Sequence, residues 1–271
     1  MTDAAAALAA AARTLAAVCD TARLDAELLF AHALGITREA LLLDPARAIP
    51  PGFDALVQRR LAHEPIAYIT GTRAFWTIDL AVGPGVLIPR PDSETLIEAA
   101  IAHFGDRAPA TILDLGTGPG TLLLAALDHW PGAQGVGVDA SPVALDYARG
   151  NAGRLGIGGR ATFIEGGWAG TGDRFDLVLC NPPYVATDEP LPPDVADWEP
   201  AGALFAGPDG LDDYRVIAPL LAAQLAPGGC ACIEIGHRQA AAVTGLLNAA
   251  GLQVSLRRDL AGRDRCLVAT P

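Results

Sequence analysis

The sequence is poor in the features that mark nucleic-acid-binding, secreted and membrane proteins. Only 18% of the 271 residues are charged, the net charge is −12, and Lys and Arg form no block anywhere. A general nucleic-acid binder normally carries a basic patch or stripe, so direct binding of nucleic acid is disfavoured. The N-terminus has no signal-peptide layout, and no run of about 18 apolar residues predicts a membrane span. We therefore expect a cytoplasmic protein.

Cysteine clusters and the familiar nucleophile arrangements are also missing. The five cysteines are scattered, mostly within apolar runs, with no second Cys or His pair at metal-ligand spacing. We therefore expect buried, reduced thiols and no metal site. No Ser-His-Asp or Cys-His arrangement is recognisable, and no Gly-Lys-Thr sequence is present to bind a phosphate chain. These absences disfavour metal-dependent, nucleophilic and nucleoside-triphosphate chemistry.

What the sequence does have is a large apolar fraction, 51%, and an ordered change of pattern along the chain. Residues 4–63 read as helices only, and we expect four short helices in a small bundle. From Tyr68 to Ile88 the pattern changes to short β-like pieces, Ala74 to Leu80 and Val86 to Ile88, with Gly83-Pro84-Gly85 as the turn between them, and this predicts a hairpin. After Pro109 strands and helices alternate, with Thr111 to Leu115 and Gln134 to Asp139 as the first two strands and Ser141 as the cap of the helix that follows. This alternation predicts a parallel sheet with helices on both faces and, from the last two strands, an antiparallel edge. The expected domains are a helical domain at 1–72, a β-hairpin linker at 73–88 and an α/β domain at 89–271.

The first strand of the alternating region runs into a glycine-rich turn, Asp114-Leu115-Gly116-Thr117-Gly118-Pro119-Gly120. Its glycines allow close approach of a ligand to the backbone at the start of a helix, although the spacing fails the dinucleotide fingerprint. The next strand ends at Asp139, whose carboxylate could accept both hydroxyls of a ribose. A nucleoside ligand without a phosphate-binding lysine fits S-adenosylmethionine, and therefore methyl transfer. An ordinary strand–helix–strand unit with surface acids is the alternative.

A second motif, Asn181-Pro182-Pro183-Tyr184, follows an apolar run that reads as a buried strand. Prolines cannot donate ladder hydrogen bonds, so the strand stops and leaves Asn181 at its end, where ligands bind in open α/β sheets. The Asn181 side-chain oxygen and the Pro182 carbonyl can together accept both hydrogens of a planar –NH2 group, with Tyr184 packed on the target. Such acceptors orient an amide nitrogen toward a sulfonium methyl without a strong base. The plainer interpretation is a strand-ending turn.

Further stretches carry a resemblance to a known family. They are Arg23 to Leu29, Glu64 to Gly71, Val86 to Glu94, Asp114 to Gly120, Asn181 to Tyr184, Glu199-Pro200, Asp209 to Leu211, Tyr214-Arg215 and Glu234 to Gly236. Nearly end to end, the chain resembles the protein-(glutamine-N5) methyltransferases that modify peptide chain release factors. Asn-Pro-Pro-Tyr alone also occurs in adenine-N6 DNA methyltransferases. The N-terminal bundle with Ile88-Pro89-Arg90-Pro91 narrows the family.

The resemblance implies a seven-stranded, Rossmann-like class I methyltransferase domain, preceded by a helical bundle that recognises the protein substrate. It implies methylation of the glutamine in a release factor's Gly-Gly-Gln motif, with S-adenosylhomocysteine as the second product. The implied cofactor-binding residues are Asp114, Gly116, Thr117, Gly118, Pro119, Gly120, Asp139, Trp168 and Asn181. The residues implied for the glutamine are Asn181, Pro182, Pro183 and Tyr184, of which Asn181, Pro182 and Tyr184 are catalytic.

Some questions stay open at this level. Family members often have an acidic residue before Trp168, where this chain has Gly167, so a backbone group or water is expected to replace that contact to adenine. Arg90 fits a salt bridge as well as a substrate contact. Glu234 is expected to be a solvated strand end, and His237 after it is expected to be exposed. The alternative substrates are a ribosomal-protein glutamine and the N6 of a nucleic-acid adenine. A non-catalytic S-adenosylmethionine-binding protein would have a degraded Asn181 motif, and this motif is intact.

Overall fold

The computed structural model describes residues 3–44 and 48–271. The chain forms two compact units. The N-terminal unit contains Met1–Thr72 together with Leu191–Trp198, and the sheet unit contains Arg73–Pro190 together with Glu199–Pro271. A segment that follows the Asn-Pro-Pro-Tyr motif therefore belongs to the N-terminal unit, which the sequence did not predict.

The N-terminal unit is helical. Its helices are Asp3–Leu15, Ala22–Leu34, Arg38–Leu43, Phe53–Leu61, Ile66–Thr70 and the short Pro193–Ala196. Within its core the rings of Phe30 and Phe53 pack edge to face, with their centroids 4.9 Å apart. The four predicted helices are present, but the prediction of β-like structure from Tyr68 onward was wrong for Tyr68 to Thr70. Pro65 presets the entry to that turn of helix and Gly71, with φ 74°, ends it.

The predicted hairpin exists, but it lies earlier in the chain. Strands β1 (Thr72–Phe75) and β2 (Ile78–Ala81) are joined at Trp76, which has φ 52°. The prediction of a strand at Val86 to Ile88 was wrong. The predicted turn at Gly83-Pro84-Gly85 is present, with Gly85 at φ 97° and Val86 N donating to the Gly83 carbonyl at 3.3 Å, but it joins no strands. Packing also requires small residues there, since a Cβ on Gly83 would clash with the Tyr147 hydroxyl and one on Gly85 would lie 2.9 Å from Val143. Apart from Thr72, the hairpin belongs to the sheet unit.

Seven strands form the main sheet, as the fold class predicts. They are β3 (Thr111–Leu115), β4 (Gln134–Asp139), β5 (Ala161–Glu165), β6 (Phe175–Cys180), β7 (Leu225–Glu234), β8 (Gln253–Arg258) and β9 (Asp264–Thr270). Their order is β5-β4-β3-β6-β7-β9-β8. The first five are parallel, and β9 is antiparallel to both of its neighbours. The predicted parallel sheet with an antiparallel edge is thus confirmed.

Helices connect these strands. They are Glu94–Phe104, Thr121–His129, Pro142–Arg154, Asp212–Gln224 and Ala240–Ala249. The predicted cap of Ser141 on one of them is confirmed, because its hydroxyl accepts a hydrogen bond from Ala144 N. The strand order reverses at β3, which has β4 on one side and β6 on the other. In open sheets this reversal opens a crevice at the carboxyl ends of the strands.

The described part of the chain contains no group of three or more His, Cys, Asp or Glu that could hold a metal ion. Among the same residues, no helix is both long and apolar enough to cross a bilayer. All five cysteines are free, and four of them are buried, as predicted, while Cys19 is half-buried.

Candidate active site

A cavity of about 480 Å³ opens at the carboxyl ends of β3, β4 and β6. Its volume lies within the range of about 300 to 1,000 Å³ usual for small-molecule sites. The predicted residues that line it are Asp114, Gly116, Thr117, Gly118, Pro119, Asp139, Trp168, Asn181 and Pro183. The fold therefore brings the glycine-rich turn, the end of β4 and the Asn-Pro-Pro-Tyr motif to one site.

The glycine-rich turn presents bare backbone to this cavity. Gly116 and Gly118 have φ of 70° and 57°, a region that residues with a Cβ rarely adopt. A Cβ on Gly116 would lie 3.2 Å from the Trp168 ring. Gly120 lies outside the cavity lining and packs against Leu124 at the start of the following helix. Its role in the structure is to let that helix pack closely.

Asp114 is buried beneath the turn. Its Oδ2 accepts hydrogen bonds from Thr117 Oγ1 at 2.6 Å and Leu123 N at 3.2 Å, whereas Oδ1 has no partner among the described residues. Burial raises the pKa of this carboxyl from 3.8 to about 7. Asp114 thus holds the turn in shape and keeps one buried oxygen without a partner among the described residues.

Asp139, unlike the buried Asp114, is half-exposed and lies at the carboxyl end of β4. Its Oδ2 accepts from Gly118 N and its Oδ1 from Ser141 N, both at 2.8 Å. A carboxylate has about four lone-pair sites, so two remain for a ligand. These bonds tie the glycine-rich turn to the end of the next strand and orient the carboxylate over the cavity.

Trp168 is fixed by a carboxylate that the sequence did not single out. Its Nε1 donates to Asp213 Oδ1 at 2.9 Å, and its carbonyl accepts from Gln224 Nε2 at 2.8 Å. Asp213 also lines the cavity, and burial raises the pKa of its carboxyl. A carboxylate therefore stands beside the indole even though residue 167 is glycine.

Asn181 stands at the end of β6 with its two polar atoms in different environments. Its Nδ2 donates to Ser93 Oγ at 3.2 Å, and Oδ1 accepts no hydrogen bond from the described residues. Pro182 is buried and its carbonyl likewise accepts none from them. Pro182 and Tyr184 do not line the cavity, whereas Pro183 does. Two acceptors of the motif are thus free within the described chain.

The prediction that Glu234 is a solvated strand end was wrong. It is only 1% exposed, and its carboxylate accepts from Ser93 Oγ at 2.5 Å and from the Tyr184 hydroxyl at 3.2 Å. Burial raises the pKa of the Glu234 carboxyl, and it raises that of the Tyr184 phenol as well. Cys230 to Ile235 form an apolar run around this glutamate, and that run was the signal that it is buried. His237, in contrast, is exposed as predicted.

Arg90 forms a salt bridge, the first of the two roles open from the sequence. Its Nη2 lies 2.5 Å from Glu199 Oε1, while Glu199 Oε2 accepts from Ile88 N at 2.9 Å. The Glu199 side chain is 1% exposed and that of Arg90 33%. Arg90 also lines the cavity. The buried Glu199 side chain therefore stabilises this part of the cavity wall through its contacts with Ile88 and Arg90.

Comparisons with known proteins agree with this architecture. Residues 6–71 match the family model described as PrmC N-terminal domain, and residues 107–219 match the model described as Methyltransferase domain. The chain is similar to release factor glutamine methyltransferases from several bacteria. It is 45% identical to that of Cereibacter sphaeroides over 96% of this chain and 95% of the relative. It is 44% identical to that of Rhodospirillum rubrum over 91% of this chain and 78% of the relative.

Solved structures show a similar fold at low identity. The match to a methyltransferase from Pyrococcus furiosus covers 78% of this chain and 95% of that methyltransferase, with a TM-score of 0.55 and 16% identity. The match to a ribosomal protein L11 methylase from Lactobacillus delbrueckii subsp. bulgaricus covers 67% of this chain and 79% of the methylase, with a TM-score of 0.50 and 21% identity. These likenesses concern the fold alone, and the sheet unit is a Rossmann-like methyltransferase domain.

Proposed function

The chain belongs to the release factor glutamine methyltransferase family, and from that premise we propose its reaction in detail. It transfers a methyl group from S-adenosylmethionine to the side-chain amide nitrogen, N5, of the glutamine in the Gly-Gly-Gln motif of peptide chain release factors. The observation that carries this proposal is Asn181 at the cavity wall, with Oδ1 free among the described residues and Nδ2 held by Ser93.

The residues of the cavity fit S-adenosylmethionine. Gly116 and Gly118 leave the backbone bare, so a nucleoside can lie against it. Asp139 keeps acceptors for a ribose diol. The unpartnered Asp114 Oδ1 fits the wall beneath a cationic ligand. Trp168, held by Asp213, offers an aromatic edge for the adenine. When bound, the cofactor supplies an electrophilic methyl group on its sulfonium.

The chain's own contribution is to orient a weak nucleophile. An amide nitrogen attacks poorly because its lone pair is delocalised. Asn181 Oδ1 and the Pro182 carbonyl accept its two hydrogens, which directs the nitrogen toward the methyl group and favours positive charge on it. Attack by this nitrogen on the methyl carbon would displace the sulfur, which would leave with the electron pair of the broken carbon–sulfur bond. One N–H proton then leaves to water, so no strong base is required.

A single preorganised polar group of this kind contributes about a hundredfold to a thousandfold in kcat. Asn181→Ala should therefore lower kcat by that factor and change cofactor affinity far less. Pro182 acts through a main-chain carbonyl, which substitution does not remove. Pro183, in the cavity wall, is proposed to pack on the glutamine, and Tyr184, which lies outside the cavity lining, is proposed to complete the grip from beside it.

The helical domain at residues 1–72 is proposed to recognise the release factor, since its described residues pack into a hydrophobic core and include no group of His, Cys, Asp or Glu that could hold a metal ion. The segment 73–88 is the linker in this assignment, and residues 89–271 carry the methyltransferase domain. Deleting residues 1–72 should abolish methylation of intact release factor; unchanged activity would contradict this role.

The decisive test is mass spectrometry of purified release factor incubated with the protein and S-adenosylmethionine. We expect the mass of one methyl group on the Gly-Gly-Gln peptide with wild type, and almost none with Asn181→Ala. Asn248→Ala, at an exposed helix position, is the matched control and should behave as wild type. Methylation of a ribosomal protein or of a nucleic acid, with the release factor unmodified, would instead support one of the alternative substrates.

A further inference from the structure

Behind Asn181 lies a chain of hydrogen bonds that ends at a buried carboxylate. Asn181 Nδ2 lies 3.2 Å from Ser93 Oγ, and Ser93 Oγ lies 2.5 Å from Glu234 Oε2. Ser93 and Glu234 are 2% and 1% exposed. The other oxygen, Oε1, lies 3.2 Å from the Tyr184 hydroxyl. One carboxylate is therefore connected to both polar side chains of the Asn-Pro-Pro-Tyr motif.

The chemistry of the groups sets the direction of every bond in this chain. An ionised carboxylate can only accept, so Ser93 must donate its single hydroxyl proton to Glu234. Toward Asn181 the Ser93 oxygen can then only accept. Only the –NH2 end of the Asn181 amide can satisfy it, which leaves Oδ1 for the cavity.

This direction matters because the two ends of an asparagine amide have nearly the same shape. A reversed amide would present two donors to the substrate –NH2 group, which also donates. The two would repel each other, and the glutamine nitrogen would lose its alignment.

We propose that Glu234 and Ser93 are positioning residues that fix the Asn181 amide with its acceptor oxygen toward the substrate. The inference rests on the proposed function for its catalytic consequence, although the orientation itself does not depend on the substrate. Neither residue needs to touch the glutamine. Glu234 acts through Ser93 on Asn181, and directly on Tyr184.

The neighbours of Glu234 support this role. The Tyr214 hydroxyl donates to the Glu234 main-chain carbonyl at 2.8 Å, which fixes the end of β7. Arg265 is close enough to favour the charged form of the carboxylate, and it forms an ion pair with Asp92, the residue before Ser93, at 3.0 Å. The strand end and the segment that carries Ser93 are thus held independently of Asn181.

The first experiment is a double-mutant cycle on kcat, with release factor as substrate. Ser93→Ala should lower kcat by about tenfold to a hundredfold, while the dissociation constant of S-adenosylhomocysteine changes by less than about twofold. In an Asn181→Ala background the same change should have almost no further effect, because Ser93 acts through Asn181. If Ser93→Ala lowers kcat by the same factor in wild type and in Asn181→Ala, the proposal is overturned. Ser255→Ala, at an exposed strand position, is the matched control.

A second readout needs no catalysis. In a ¹⁵N-labelled sample, the side-chain NH2 signals of Asn181 are those that vanish in Asn181→Ala. They should shift in Ser93→Ala and in Glu234→Gln, since glutamine cannot accept from both Ser93 and Tyr184. They should stay in place in Ser255→Ala, and unchanged signals in Ser93→Ala would overturn the proposal. If wild type does not methylate release factor, the proposed function fails, while these spectra still decide the orientation.

Discussion

Glu199 offers a clear test of how the cavity wall is held. Glu199→Ala removes the acceptor of the Ile88 N–H and the partner of Arg90. Ile88 is 6% exposed, so water cannot replace the acceptor, and a buried donor left unpaired costs about 1 to 3 kcal/mol. The Arg90 side chain is 33% exposed, so its lost ion pair adds at most about 1 kcal/mol. We expect a total loss of about 1 to 4 kcal/mol.

Glu199→Gln separates the two contributions. Its amide oxygen can still accept from Ile88 N, so only the ion pair is lost, at about 1 kcal/mol or less. Urea unfolding followed by far-UV circular dichroism measures both variants against wild type. Because Ile88 precedes Pro89 in the cavity wall, Glu199→Ala should also weaken S-adenosylhomocysteine binding more than Glu199→Gln. Equal destabilisation by the two variants would refute the reasoning, since the N–H acceptor would then contribute nothing.

Two further predictions concern the glycine-rich turn. The raised pKa of Asp114, about 7 against 3.8, means that the folded state binds this proton more tightly. Its contribution to stability is therefore full below about pH 4 and is lost as the pH rises to about 7, by up to about 1.4 kcal/mol per pH unit. Asp114→Asn should remove this slope from urea unfolding free energies; parallel curves for the two proteins would contradict it. Gly116→Ala, with φ 70° and a Cβ 3.2 Å from Trp168, should cost about 1 to 3 kcal/mol and weaken S-adenosylhomocysteine binding. Gly150→Ala, in an exposed helix position with no neighbour within 4 Å, should stabilise slightly, and equal effects of the two alanines would refute the strain argument.

The strands of the main sheet were the most predictable part of the fold. Thr111–Leu115 and Gln134–Asp139 have the bounds predicted from the sequence. Buried parallel strands read as continuous apolar runs, and turn residues mark their ends. The same logic predicted that Asn181 stands at the carboxyl end of β6.

The hairpin was less predictable because its turn lacks the usual residues. Trp76 adopts a positive φ without being Gly, Asn or Asp, so no local signal marked it. The glycines that do read as a turn, Gly83 and Gly85, form one in the structure, but it lies after β2 and no strand follows it. A turn that joins two strands and a turn that does not look alike in a sequence.

The sequence by itself determined the strand ends, the bare backbone of the glycine-rich turn and the residues that can accept hydrogen bonds there. Each of these is a local property of a few consecutive residues. The tertiary structure alone decided which distant residues complete the site. Ser93 stands 88 residues from Asn181 and 141 from Glu234, and nothing in the spacing connects them. Their connection depends on the order of the strands in the sheet, because that order determines which strand ends are neighbours and which side chains are buried between them.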